Sequence, residues 1–150
     1  MPDIIELTLP DGRKMEVQKG STALEAAKQI GPALARACVA AKIDGKMADL
    51  SHKLEKDCKF ELVKGDNEEG LGVIRHSAAH VMAQAVLRIF PEAKLTIGPV
   101  IEDGFYYDFE RKEPFTPADL EKIEHEMKKI IEEEQAFERI EIKKKEALML

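Results

Sequence analysis

Residues 4–30, IIELTLPDGRKMEVQKGSTALEAAKQI, carry the reading that decides the fold of the first part of this chain. Ile5, Leu7 and Leu9 alternate with Glu6 and Thr8, which is the period of a half-buried strand. Pro10-Asp11-Gly12-Arg13 is a turn cluster, and residues 14–18 alternate again with Met15 and Val17 inward, so the two runs predict a hairpin. Thr22 followed three residues later by Glu25 fits a capping box, and Leu24, Ala27, Lys28 and Ile30 continue at helical spacing. Gly31 and Pro32 then stop that helix, and Pro32 opens a short helical turn through Arg36.

Working outward, residues 38–43 read as a strand, Asp44-Gly45 as a tight turn, 46–50 as the return strand and 59–63 as a last short strand. Strand, strand, helix, strand, strand, strand is the order of a β-grasp (ubiquitin-like) unit, one helix packed over a mixed sheet. Residues 64–70, Lys-Gly-Asp-Asn-Glu-Glu-Gly, are polar and bracketed by glycines, so 65–70 is expected as a linker between two domains, 1–64 and 71–150. Beyond it we expect a helix over about 71–90 and a hairpin of 95–101 and 105–109 turning at Glu102-Asp103-Gly104. A long helix should follow, opened by Thr116 as N-cap and Pro117. Its apolar stripe would be Leu120, Ile123, Met127, Ile130 and Ile131; residues 137–142 read as a further strand. The chain stops at Ala147-Leu148-Met149-Leu150, in mid-pattern, which reads as a cut through a longer protein. The expected fold class is therefore α+β in both parts.

Net charge is -6, and it is uneven: through Gly65 the balance is +1, and from Asp66 onward it is -7. An acidic chain is a poor free-standing nucleic-acid binder, so any RNA contact must be local or made alongside a better-charged partner. The chain has no Trp and only two cysteines, Cys38 and Cys58. Two cysteines make neither a metal framework nor a disulfide scaffold, and buried thiols in a reducing compartment are expected. Pro2 and Asp3 follow Met1 directly, so no signal peptide is read, no apolar run reaches membrane-spanning length, and the expected location is the cytoplasm.

Arg75-His76-Ser77-Ala78-Ala79-His80 is the sharpest feature. His76 and His80 fall one turn apart on one helix face. Projection at about 100° per residue puts Ile74, Ala78, Val81, Met82, Ala85 and Ile89 on the opposite, core-facing side. Ala79, Ala83 and Leu87 flank the histidine stripe, and small side chains there leave room for a ligand beside groups that exchange protons near neutrality. Paired histidines at this spacing are nonetheless more often structural than functional. Ser77 stands where a zinc protease needs a general-base Glu, and two histidines do not complete a tetrahedral zinc site. A carrier that borrows metal ligands from a second chain is a weaker reading of the same pair. His52 and His125 lie in charged surroundings and are assigned no role. In Gly98-Pro99 and Gly104-Phe105-Tyr106-Tyr107-Asp108, strand geometry sends Tyr106 and Tyr107 to opposite faces, so that one is free for a pocket while the other packs.

Residues 74–80, with Ile97-Gly98-Pro99-Val100-Ile101 and Gly104-Phe105-Tyr106-Tyr107-Asp108, resemble the editing domain of bacterial threonyl-tRNA synthetases. Residues 4–64 resemble the TGS domain that this family carries at its N-terminus, a domain found also in alarmone synthetases and some GTPases. The resemblance implies a β-grasp TGS domain over 1–64 followed by the first portion of the editing domain over 71–150. It implies a parent enzyme that charges tRNA(Thr) with threonine, using ATP with Mg and a zinc in a ligase domain outside this chain. A site built for threonine also admits serine, because one methylene gives only ~1–3 kcal/mol of discrimination. A second pocket therefore hydrolyses seryl-tRNA(Thr). By that likeness His76 and His80 would position and activate the attacking water and bind the terminal adenosine, while Gly98 and Tyr107 would line the pocket. The related histidine-pair fold of alanyl-tRNA synthetases binds zinc; that is not carried over here. The family pocket is completed by a Cys-x-x-x-His element and a lysine with no counterpart before Leu150, so this stretch alone is expected neither to ligate nor to edit efficiently. Expected partners are the acceptor end of tRNA(Thr), the rest of the synthetase chain and, in the parent, a second copy as a homodimer. A free-standing TGS-type binding module without catalysis is the alternative.

Overall fold

The computed structural model describes residues 3–137 and 140–149. It resolves into two compact units, one formed by Met1–Ala79 with Gly98–Tyr107 and one by His80–Ile97 with Asp108–Leu150.

The first unit is built on five strands: β1 (Ile4–Thr8), β2 (Lys14–Gln18), β3 (Cys38–Ile43), β4 (Lys46–Ala48) and β5 (Cys58–Lys64). Their order in the sheet is β2-β1-β5-β3-β4. β1 runs antiparallel to β2 and parallel to β5, and β3 runs antiparallel to both β5 and β4. That is the β-grasp topology the element order predicts. The alternation works as expected, with Ile5, Leu7 and Val17 buried and Met15 packed at the margin of the same core. Helix α1 (Ala23–Ile30) covers the sheet through Ala23 and Ala26, which join Leu7, Leu54 and Phe60 in that core. Its start is the expected reciprocal box: Thr22 N–H donates to the Glu25 carboxylate at 2.7 Å, and Glu25 N–H donates to Thr22 Oγ1 at 3.2 Å. Helix α2 (Pro32–Ala37) begins at Pro32 and leads directly into β3. Asp44 and Gly45 both have positive φ, 50° and 79°, as a two-residue hairpin turn twisted to match its strands requires. The return strand ends at Ala48 because the next segment turns away to tie down the start of α1. Ala23 N–H donates to the His52 carbonyl at 2.9 Å and Leu54 N–H to the Ser21 carbonyl at 2.8 Å. Both cysteines are free and buried, and burial raises both thiols above their ordinary pKa.

The second unit packs the later turns of helix α3 (Glu68–Ile89) against helix α4 (Pro117–Glu132) around Ala85, Val86, Phe90, Ala93, Ile123 and Ile130. Thr116 and Asp119 form a second reciprocal capping box, with Pro117 in the first turn as expected. Arg88 joins the two helices as a fork, donating to Glu133 at 2.7 and 2.8 Å and to Glu126 at 3.1 Å. Arg111 lies beside the core with its guanidinium carbon 4.0 Å from the Phe90 ring centroid and 5.1 Å from that of Phe115. Desolvated contacts of this kind stabilise by about 0.5–2 kcal/mol. The expected α4 stripe is narrower than read: Ile123 and Ile130 are buried and Met127 packs beside them, but Leu120 and Ile131 are exposed. Helical pitch explains this, since Leu120 and Ile131 sit together at one edge of a stripe whose centre is the 123–127–130 line.

The expected hairpin after α3 is split. Strands β6 (Lys94–Leu95) and β9 (Phe109–Glu110) pair in the second unit, and β7 (Val100–Ile101) and β8 (Gly104–Phe105) pair in the first around the Glu102-Asp103 turn. Pro99 has no N–H to donate to a continuous ladder. Residues 106–108, expected as strand, are irregular. The strand expected over 137–142 falls partly outside the described residues, and its described members, Phe137 and 140–142, are irregular. A four-residue helix α5 spans Lys144–Ala147. No helix among the described residues is long and apolar enough to cross a membrane.

Candidate functional site

The histidine-bearing helix starts earlier than its sequence pattern suggests. Asn67 accepts from Gly70 N–H through its side chain at 2.8 Å and from Leu71 N–H through its carbonyl at 2.8 Å, so it caps the helix. Glu68, Glu69 and Gly70, expected as linker, are therefore the first turn of α3. Two acidic residues there suit the positive end of the helix. Residues 65–67 alone make the turn out of β5.

His76 and His80 both lie within α3, one turn apart, and both are exposed, as is Ser77 between them. The face assignment needs correcting. Ala79 and Ala83, expected to leave open space beside the histidine stripe, are 2% and 4% exposed, and Val86 is 1% exposed. Ile74, expected on the core side, is 43% exposed. Ile74, Val81 and Ile89 lie further round the helix than the buried line of Ala79, Ala83 and Val86, which runs next to the histidines. Alanines settle the matter by size, since they permit the closest approach of neighbouring elements. The imidazoles do point to solvent, but the room around them is not supplied by those alanines.

Gly98 and Tyr107 are brought together. A Cβ added at Gly98 would overlap the Tyr107 ring, so the ring occupies the space beside the glycine. Tyr106 N–H donates to the Pro99 carbonyl at 3.3 Å, which closes this short segment. Tyr107 is half-buried and Tyr106 is 50% exposed, so the two rings do differ in environment as expected, although no strand enforces it. Among the described residues no group of three or more His, Cys, Asp or Glu side chains is arranged to hold a metal ion.

A cavity of about 390 Å³ that sequence reading did not anticipate lies at one end of the β-grasp sheet. Thr8, Pro10, Lys42, Gly45, Lys59 and Phe60 line it. It arises because two turns and β5 meet there, a tertiary fact with no local signature. Lys42 in its wall is drawn toward Glu69 of α3 at 2.6 Å, which raises the Lys42 pKa.

Residues 5–64 match the TGS domain family. The chain is 52% identical over 147 residues to the threonine–tRNA ligase of Symbiobacterium thermophilum, covering 98% of this chain and 23% of that protein. It is 53% identical over 145 residues to that of Desulforamulus reducens, with 97% and 23% covered. Identity to the enzyme of Anaeromyxobacter dehalogenans is 48% over 151 residues, covering 100% and 23%. The chain thus spans about 23% of the length of the curated relatives it matches.

Proposed function

We propose that this chain, which carries a TGS domain and is similar over nearly its whole length to threonine–tRNA ligases, is part of such a ligase, and that residues 71–150 supply the first part of a proofreading site for seryl-tRNA(Thr). The observation that carries this is the reach of the similarity. It extends over nearly the whole chain, well past the TGS match, and so includes the helix that presents two exposed imidazoles one turn apart. A module consisting of the TGS domain alone would not produce it.

In this reading residues 1–64 are the TGS domain and residues 71–150, from within α3 onward, are the first portion of the editing domain. His76 and His80 hold the water that attacks the carbonyl carbon of the seryl ester, take its proton and pass it to the departing terminal oxygen as the ester C–O bond breaks, releasing serine and a tRNA with a free terminal hydroxyl. The acceptor end of tRNA(Thr) is the substrate, and Gly98 with the Tyr107 ring beside it forms one wall. Because the chain is acidic beyond Asp66, affinity for the tRNA body comes from elsewhere in the ligase, and these residues read only the charged terminus. ATP-dependent charging, with its metal ions and dimerisation, belongs to the rest of the ligase, and the site of action is the cytoplasm.

The test is an aminoacylation assay on the complete ligase carrying this segment, with threonine and with serine. His76→Ala and His80→Ala should accumulate seryl-tRNA(Thr) while the rate of threonine charging stays at the wild-type level. No accumulation in either variant would return the pair to a structural role.

A further inference from the structure

We propose that the β-grasp sheet is the seat that fixes the His76-bearing turn of α3, with Gly70 as the positioning residue at the contact. The activity readout rests on the proofreading role above; the seating itself does not. Three contacts along the first turns of α3 carry the inference. Gly70 is buried, and a Cβ there would overlap the carbonyl group of Lys64, the last residue of β5. Lys42 of β3 reaches Glu69 at 2.6 Å, with the Lys42 side chain only 20% exposed. Ile74 Cδ1 and Val39 Cγ1 converge over Gly65, 3.1 and 3.3 Å from where a Cβ would stand. Glycine is a poor residue inside a helix, so its place here calls for a reason, and close backbone approach is one.

These contacts replace the flexible linker that the polar sequence of 65–70 suggests. Six residues of α-helix at 1.5 Å each separate Gly70 from His76, about 9 Å, a length over which a helix behaves as a rigid rod. A displacement forced at Gly70 is therefore delivered to the His76 imidazole. A misplacement of about 1 Å at a reacting group costs on the order of a hundredfold in rate, so a small shift in the seat is enough to matter.

The experiment combines two readouts. The His76 imidazole ¹³C–¹H resonance is followed in the 150-residue chain, and seryl-tRNA(Thr) deacylation in the complete ligase. Gly70→Ala, folded by far-UV circular dichroism, should move the His76 resonance and lower the deacylation kcat by about ten- to a hundredfold, with KM little changed. Lys42→Glu should move the same resonance, and Lys42→Glu combined with Glu69→Lys should bring it back. A variant that only lowers stability, with the helix left in place, would leave the resonance of the folded chain unmoved. A folded Gly70→Ala chain with an unmoved resonance overturns the proposal. Should Gly70→Ala not fold, an unmoved resonance in Lys42→Glu, or no recovery in the double variant, overturns it instead. If His76→Ala retains full deacylation, the proofreading role fails while the resonance experiment still decides the seating.

Discussion

Gly98→Ala should destabilise this chain, and the loss should vanish when Tyr107 is truncated. The glycine backbone is outside the left-handed region, so alanine meets no backbone penalty there; what it meets is the Tyr107 ring. Because the Cβ would overlap the ring atoms, the ring must swing away and give up its packing. Overpacking of this kind costs about 1–3 kcal/mol. At about 2–4 °C per kcal/mol for a chain of this size, the melting temperature should fall by roughly 2–12 °C. In a Tyr107→Ala background the collision is gone, and Gly98→Ala should be neutral or stabilising by about 0.4–1 kcal/mol through the unfolded chain. The coupling energy in the double-mutant cycle should therefore be about 1–4 kcal/mol. Urea unfolding reads it, with far-UV circular dichroism as probe, because the chain has no Trp and the Tyr107→Ala arm removes one of its two Tyr. Equal cost in both backgrounds would refute the contact.

Thr22→Ala removes the side-chain half of the first capping box and should cost about 0.5–2 kcal/mol by urea denaturation. Glu126 and Glu133 are held below the usual carboxylate range, in each case chiefly by hydrogen bonds from Arg88. A depressed folded-state pKa contributes stability that is present above the unfolded value of about 4.3 and lost as pH falls through the folded value. The stability difference between wild type and Glu133→Gln should thus close as pH falls below the unfolded value of about 4.3 and on through the lower folded value; a difference that persists at the acid end argues against the fork. Cys38 and Cys58 should react slowly with a thiol-specific disulfide reagent in the native chain and quickly in urea, since both are buried with raised pKa; equal rates would contradict their burial.

The β-grasp half was legible because its signals are local. Period-two alternation in 4–9 and 14–18, the Thr22–Glu25 pair, Gly31-Pro32 and Asp44-Gly45 each specify one element, and the topology adds nothing they contradict. The second half was less legible where the decision is tertiary. In α3 the cap is Asn67, hidden in a run of polar residues that also fits a linker; only the pairing of its side chain with Gly70 N–H distinguishes the two. The buried face of that helix is set by where Ala79, Ala83 and Val86 can approach a neighbour, which a projection does not single out because apolar and small residues cover more than half of its circumference. The Tyr107–Gly98 contact joins residues nine apart across an interrupted ladder, and the break depends on Pro99 acting within the fold. The histidine pair itself was plain in the sequence at its i, i+4 spacing, and its exposure agrees with a ligand-facing role without requiring one.

The most direct test is single-turnover hydrolysis of preformed seryl-tRNA(Thr) and threonyl-tRNA(Thr) by the complete ligase, wild type against His76→Ala and His80→Ala. The proofreading account predicts fast release of serine, slow release of threonine, and loss of the serine rate in both variants by about a hundredfold or more, in line with removal of a positioned acid–base group. Serine release that is unchanged when both histidines are gone would contradict it.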